Sequence, residues 1–441
     1  PPSVLVVRAP RSCSSSSLPG TARTPPDLVI SSTSFSSHDP ASTRTPVGRG
    51  AAGRGAAASW AKLGRRGGGA EQGLPKRVVG PDGVLLSMED SAHRWTAHRQ
   101  AVSRPVEERP DHGFDPERIA EVRRQEQAIL QAAWDERRRG FHGDFERPPT
   151  EPEIEEILRA LPNRKAAGPD GLPYEVFKYG GPAAVRMLTR ALVIMWEMEV
   201  HASAFDQALI SPLFKKKGSK VDVEDYRGVT LMNCAAKIYE MWMKPRLHAS
   251  IDGLRGDGDT SGWSAIQGAH CEGFGCQEMA ATLLSTAWIR AQARRDSGEA
   301  GEGQPALFVD FRTAFPYTCR ALLNVRLWEA GVRGRLWRVL YRFNLLPTAR
   351  VLHPLLDDSH AFVVREGLRE GSVLSPILFN LYVNDMGADL AKEHLGVSVV
   401  GRQRSVAAAA SQYSDDVGLL PDGRKVVQPM LDWLARWCRR T

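Results

Sequence analysis

The 441-residue sequence lacks any uninterrupted apolar run near the roughly 18 residues that a membrane-spanning helix requires. It is poor in cysteine. The six thiols, Cys13, Cys234, Cys271, Cys276, Cys319 and Cys438, are scattered without one Cys-x-x-Cys pair, which argues against a disulfide framework and for reduced thiols inside a cell. His270-Cys271 with Cys276 looks like a metal fragment, but no second ligand pair has finger spacing, so zinc is not expected. There is no initiator Met ahead of Pro1-Pro2-Ser3-Val4, no legible signal peptide and no internal repeat. Excess charge is missing from most of the chain. Of 58 Lys+Arg and 51 Asp+Glu, 11 and 3 fall within residues 1–77, a net of +8, and the rest sums to −1. Nucleic-acid binding by that larger part must rest on local patches.

What is present divides unevenly. Residues 1–77 are rich in Ser, Pro, Gly, Ala and Arg, a composition that buries too little apolar surface to offset chain entropy, so a disordered basic tail is expected. Order is expected from 77–86, a strand–turn–strand signal around Pro81-Asp82-Gly83. Helices are predicted over 116–139, with Asp115 as cap and Pro116 in the first turn, and over 151–161 behind Thr150. Apolar helices follow over 182–200 and 239–247, then a Gly/Asp loop over 253–262. A buried strand is expected over 305–311, a hairpin from 350–353 and 360–365, and an apolar helix over 376–385. The last residues, 430–441, read as the start of a helix whose Leu431, Trp433, Leu434 and Trp437 are expected to stay partly exposed for want of packing partners.

Chemistry is signalled by acids in apolar company. Asp310 ends the run Ala306-Leu307-Phe308-Val309-Asp310-Phe311, and Asp415-Asp416 sit between two short β-like runs, as a hairpin tip would present them. Clustered carboxylates repel one another and lose hydration, and a bound cation is the natural compensation. Two strands bringing Asp310 and Asp415 together would form an oxygen-ligand site suited to Mg²⁺. Any one of these acids alone is more often a turn aspartate; their combination is far more specific.

These residues lie in motifs that resemble those of reverse transcriptases. Phe308-Val309-Asp310-Phe311-Arg312-Thr313-Ala314-Phe315 is similar to the first catalytic motif, and Tyr413-Ser414-Asp415-Asp416 to the Tyr-x-Asp-Asp signature. Gly367-Leu368-Arg369-Glu370-Gly371-Ser372-Val373-Leu374-Ser375-Pro376 resembles the template- and nucleotide-positioning motif. Asn163-Arg164-Lys165-Ala166-Ala167-Gly168-Pro169-Asp170-Gly171 resembles the fingers entry of non-LTR (LINE-type) retrotransposon enzymes. Ile210-Ser211-Pro212-Leu213-Phe214-Lys215-Lys216-Lys217-Gly218 with Asp225-Tyr226-Arg227-Gly228 resembles their fingers hairpin. Five motifs stand in order over about 250 residues, and 79–104 resembles the linker such proteins carry before the polymerase.

The resemblance implies an α+β fold, a right-hand palm of antiparallel strands backed by helices, with fingers. It divides the chain into the tail 1–77, a linker with a helical segment over 78–149, fingers and the start of the palm over 150–300, and palm over 301–441, with the thumb expected beyond Thr441. It implies RNA-directed DNA synthesis from a primer 3′-hydroxyl, with dNTPs, an RNA template, a DNA primer or target and two Mg²⁺ ions, Mn²⁺ being a substitute, in an intracellular and, by family, nuclear setting. By resemblance Asp310, Asp415 and the Phe311 carbonyl hold metal while Asp416 supports them. Arg227, Lys215, Phe311, Phe315, Glu370 and Gly371 bind nucleotide, Phe315 lying under the sugar so that a 2′-hydroxyl collides with it. Gly168, Asp170, Ser375, Pro376 and Tyr413 line template and primer.

The sequence departs from the pattern in places. Pro316 stands where an acid is common, and Glu370 where Gln is usual, which calls for an offsetting cation, expected to be Arg369. An inactive remnant that binds nucleic acid and a group II intron-type maturase remain as alternatives. The chain alone leaves oligomeric state, template and target open.

Overall fold

The computed structural model describes residues 75, 77–109, 114–141, 145, 147–252, 263–264, 266–269, 275–298, 304–311, 313–345, 347–400, 405–407 and 410–441, and the strand segments Val4–Arg8 and Val29–Ser32. The expected loop 253–262, the fragment at His270-Cys271 and Cys13 lie outside the described residues.

Helix starts follow their capping residues. In α1 (Met88–Val102) the Ser87 hydroxyl accepts the Asp90 amide. In α2 (Pro116–Arg138) Asp115 accepts the Glu117 amide and Pro116 occupies the first turn, as the sequence predicts. A capping box of Thr150 and Glu153 opens α3 (Glu151–Ala160). The apolar stripe Val185, Leu188, Leu192, Met195 and Trp196 buries one face of α4 (Gly181–Met198). The segment expected over 239–247 is the middle of α5 (Cys234–Asp252). There follow α6 (Cys276–Asp296), α7 (Arg320–Glu329), α8 (Gly334–Phe343), α9 (Ser375–Tyr382) and α10 (Val427–Arg440).

The expectation for α10 is corrected. Leu431, Trp433, Leu434 and Trp437 are all buried. Earlier chain supplies the partners: the Phe311 ring lies 6.2 Å from that of Trp437, and the Asp115 amide donates to the Arg439 carbonyl at 3.0 Å.

The strands are β1 (Val4–Arg8), β2 (Val29–Ser32), β3 (Gln207–Phe214), β4 (Tyr226–Met232), β5 (Ala306–Asp310), β6 (Thr348–Val351), β7 (Phe362–Val363), β8 (Ser398–Val400), β9 (Ser405–Ala407), β10 (Ala410–Tyr413) and β11 (Asp416–Leu419). One sheet runs β10-β11-β5-β1-β2, a second β4-β3-β6-β7, and β8 pairs with β9. The mixed α+β class is as expected, but the sheets are not purely antiparallel: β1 is parallel to β5, and β6 to β3. Two pieces of the expected disordered tail are thus strands, and Val4-Leu5-Val6-Val7 is the run whose β-branched content favours that conformation. The other tail residues up to 74 lie outside the described residues. The hairpin expected near 350–365 forms as β6–β7 and extends the β3–β4 hairpin rather than standing alone.

Two cores result. The larger joins α2 through α5 to the helices behind β5. The second lies between α1 and the β3–β4 sheet, where the Trp95 ring meets Tyr226 edge-on at 4.9 Å. A fully buried Trp removes roughly 200 Å² from water, about 5 kcal/mol gross. That is enough to fix α1 onto the sheet.

Candidate active site

The acids meet through strand register. Leu307, Val309 and Asp310 of β5 pair with Leu419, Val417 and Asp416 of β11. Directly opposed residues of an antiparallel ladder project to one face, so Asp310 and Asp416 share a face. β10 returns antiparallel with Tyr413 opposite Asp416, which leaves Ser414-Asp415 as a two-residue turn. Ser414 takes φ +57°, the left-handed conformation such tight hairpins demand, at a cost of about 1 kcal/mol for a residue with a side chain. A strip of upstream chain clasps this hairpin. The Gln412 amide donates to the Ile266 carbonyl at 2.7 Å, Gly268 N–H to the Gln412 carbonyl at 2.9 Å, and Ser414 N–H to Gln267 Oε1 at 3.2 Å.

Burial pushes the Asp415 carboxyl above the usual carboxylate range, the negative charges of Asp416 and Asp310 push it further, and Arg227 pulls the other way. An acidic group driven toward its protonated form by neighbouring acids is what a cation relieves, and carboxylate oxygens suit Mg²⁺. The three acids do not form a closed cage: Asp310 and Asp416 are exposed, and among the described residues no three acidic, histidine or cysteine side chains gather tightly enough to hold an ion alone. The strands bring Asp310 and Asp416 together with Asp415 beside them in the turn, without forming a coordination shell.

Next to the first catalytic strand, two expected segments pack on each other. Phe315 is half-buried, its ring 5.2 Å from Phe379, and its carbonyl accepts the Leu368 amide at 2.7 Å. Gly367 has φ +88°, and a side chain there would run into the Pro316 carbonyl. Glu370 holds the strand β4 at two points: its carbonyl accepts Thr230 N–H at 2.5 Å and its Oε2 accepts Gly228 N–H at 2.9 Å. Gly371 takes φ +129° with its α-carbon against the Thr230 carbonyl, a place that admits only glycine. Just ahead of these contacts Arg227 is exposed on β4. Lys215 is tethered to its own loop, its ammonium donating to the Glu224 carbonyl at 2.7 Å.

Residues 214–441 match the family described as reverse transcriptase (RNA-dependent DNA polymerase), just over half of the chain. The chain belongs to the reverse transcriptase family. It is 22% identical over 310 residues to a protein named probable RNA-directed DNA polymerase from transposon BS, of Drosophila melanogaster, covering 65% of this chain and 30% of that one. It is 23% identical over 298 residues to the RNA-directed DNA polymerase from mobile element jockey of the same organism, covering 65% and 29%. The X-element polymerase gives 23% over 283 residues, 62% and 28%. The chain thus spans under a third of the length of these transposon proteins, whose company agrees with a LINE-type reverse transcriptase.

Within this chain the remaining expected residues are more dispersed. Gly168 packs its backbone on Asn233, whose Oδ1 accepts the Asp170 amide at 3.2 Å, which bolts the turn to the end of β4. Ser375 and Pro376 start α9, the Ser375 amide donating to Ser372 Oγ at 3.3 Å. Neither pair touches the acids in a hydrogen bond or ion pair. Phe311 turns its ring toward Trp437. Tyr413 is half-buried beside the turn.

One charge assignment is corrected. Arg369 does not offset Glu370: it is buried, donates to the carbonyls of Phe205 at 3.1 Å and Phe343 at 2.8 Å, and has Glu240 and Asp206 as its opposite charges. The strongest cationic influence on Glu370 is Arg99 of α1, followed by Lys215 and Arg227. The Pro316 departure is also absorbed, its carbonyl accepting Arg109 Nη2 at 3.1 Å while that guanidinium stacks 4.2 Å over Tyr317. Sequence reasoning missed Glu240, fully buried on α5, which accepts Ser372 Oγ–H at 2.8 Å and Val373 N–H at 2.6 Å and so holds the loop before α9. Its signal was legible: an acid inside Ile238-Tyr239-Glu240-Met241-Trp242.

Proposed function

We propose that this chain is the fingers (150–300) and palm (301–441) of a retrotransposon RNA-directed DNA polymerase, which extends a DNA primer on an RNA template in the nucleus. The observation that carries this reading is the β5–β11 ladder, which sets Asp310 against Asp416 with Asp415 in the adjoining turn and Arg227 within electrostatic reach of it.

In the reaction the primer 3′-oxygen bonds to the α-phosphorus of a dNTP, the bond from that phosphorus to the oxygen bridging it to the β-phosphate breaks, pyrophosphate leaves with that oxygen, and the hydroxyl proton passes to solvent water. Asp310, Asp415 and the Phe311 carbonyl would hold two Mg²⁺ ions, which supply charge neutralisation at the attacking and leaving oxygens. Asp416 keeps the local field negative, so that cations bind there. Arg227, with Lys215 behind it, takes the triphosphate, where a guanidinium forks onto phosphate oxygens. Gly371 lets the backbone approach the nucleotide, with Glu370 fixing that loop to β4. Phe315 presents a half-buried ring to the sugar and leaves no room for a 2′-hydroxyl. Gly168 and Asp170 flank the template, and Ser375, Pro376 and Tyr413 the template–primer duplex. Holding the reactants in line is most of the catalytic task in phosphoryl transfer.

The test is extension of a DNA primer on an RNA template by the purified chain with Mg²⁺ and dNTPs. Incorporation that is lost in Asp310→Asn and Asp415→Asn supports the reading. Binding of template–primer without any incorporation would favour the inactive remnant instead.

A further inference from the structure

Arg227 is flanked by two backbone contacts made by residues from distant parts of the chain. On one side the Tyr226 carbonyl accepts Arg99 Nη2 at 3.0 Å. On the other, Gly228 N–H donates to Glu370 Oε2 at 2.9 Å. The Arg99 guanidinium lies against Gly228 itself, where a side chain would strike it. Both charged residues are largely out of water, and the space left between them and the sheet is about 50 Å³, room for a few water molecules and no organic ligand. The two meet on one residue, Gly228, without a direct ion pair, and each is the strongest opposite charge that the other feels. Arg227, exposed on the same strand, is the third cation whose field Glu370 feels.

We infer that Arg99 is a positioning residue for nucleotide binding: by neutralising Glu370 and pinning the peptide before Arg227, it keeps the Arg227 guanidinium free for the triphosphate. Without Arg99, the buried Glu370 carboxylate has Arg227 and Lys215 as its remaining cations, and each that turns inward is withdrawn from the nucleotide. Burying one member of a charge pair alone is strongly unfavourable, so this inward turn has a driving force. Glutamate at position 370 and arginine at position 99 then form one unit, in which the acid requires the base.

The inference rests on the proposed role of Arg227, and the experiment separates the two. Equilibrium binding of dGTP with Mg²⁺ to the chain on a template–primer is measured for the parent and for Arg227→Ala, Arg99→Met, Glu370→Gln and Arg99→Met/Glu370→Gln, with thermal midpoints recorded for each. Arg227→Ala weakens binding about tenfold or more, equivalent to ~1.4 kcal/mol. Arg99→Met weakens it comparably, and adding Glu370→Gln recovers most of the loss, so that Arg99→Met has little effect in the Glu370→Gln background. A merely structural Arg99 would lower affinity equally in both backgrounds, and that result overturns the inference, as does unchanged affinity in Arg99→Met. Unchanged affinity in Arg227→Ala, or a parent that binds no dGTP, instead sinks the proposed function on which it stands.

Discussion

Asp310 and Asp416 occupy directly opposed positions of neighbouring antiparallel strands, while Asp415, the residue resembling a metal ligand, stands one step outside the ladder in a strained turn. The two carboxylates on the strand face and the one on the turn therefore differ in support. Asp310→Asn and Asp415→Asn should each lower single-nucleotide incorporation by on the order of 10³-fold, several kcal/mol of barrier, and Asp416→Asn by clearly less. Single-turnover primer extension gives the ranking. Near-equal losses from all three would mean that Asp416 is a ligand in its own right.

Phe315 is half-buried, its ring tilted against that of Phe379 at 5.2 Å between centroids. Phe315→Ala should cut discrimination against ribonucleotides about tenfold or more, a difference of ~1.4 kcal/mol between competing substrates, while dNTP incorporation persists. Competing rCTP and dCTP in one reaction measures it. A ratio that does not move would make this ring part of the core and nothing else.

Gly371 combines a left-handed φ with contact on the Thr230 carbonyl, whereas Gly298 has a similar demand, φ +80°, and open space around it. Alanine at Gly298 should cost about 1 kcal/mol of strain, and alanine at Gly371 roughly 3 kcal/mol because strain and collision add. Urea unfolding of the two variants separates the terms.

Glu240 gives a pH signature. Burial raises its carboxyl above the ordinary value of 4.5, with Arg369 the largest opposing influence. The folded form then holds a proton that the unfolded chain has released, so stability falls as pH climbs from 4.5 toward the raised value, and is greater below that window. Glu240→Gln should flatten this decline. Thermal midpoints taken across pH 4.5 to about 8 are the measurement. A parent whose stability rises over that span contradicts the account.

Trp437→Ala should destabilise the chain by about 3–5 kcal/mol, the range for truncating a buried aromatic. A cost below about 1 kcal/mol would return α10 to the loosely held helix that its sequence suggests.

Much of this architecture was legible because the informative residues break a local rule. An aspartate closing an apolar strand, or two before an apolar run, has no packing reason to be there, and Asp310 and Asp416 duly lie on facing strands with Asp415 in the adjoining turn. Caps such as Asp115 and Thr150 act within a single turn, so their helices could be placed from sequence. The failures share the opposite character. Arg99 meets Tyr226 across 127 positions, and adjacency to Glu370 made Arg369 look like its partner although successive side chains leave the backbone in different directions. The burial of α10 depends on Phe311 and on the residue before α2, neither of which its own pattern reveals. The pairing of β1 with β5 depends likewise on a partner some three hundred residues on.

The arginines that reach these segments from α1, α2 and the chain between them bear on how small the protein could be made. The recognisable stretch starts at Phe214, the last residue of β3. A chain trimmed to that boundary would leave β4 without its central neighbour. It would also strip Arg99 from Glu370, Arg109 from Pro316 and Arg123 from Glu366, the last pair 3.3 Å apart with its acid buried. The unit that folds is therefore larger than the stretch that matches the family, and shortening toward that stretch should yield an insoluble polypeptide rather than a minimal polymerase.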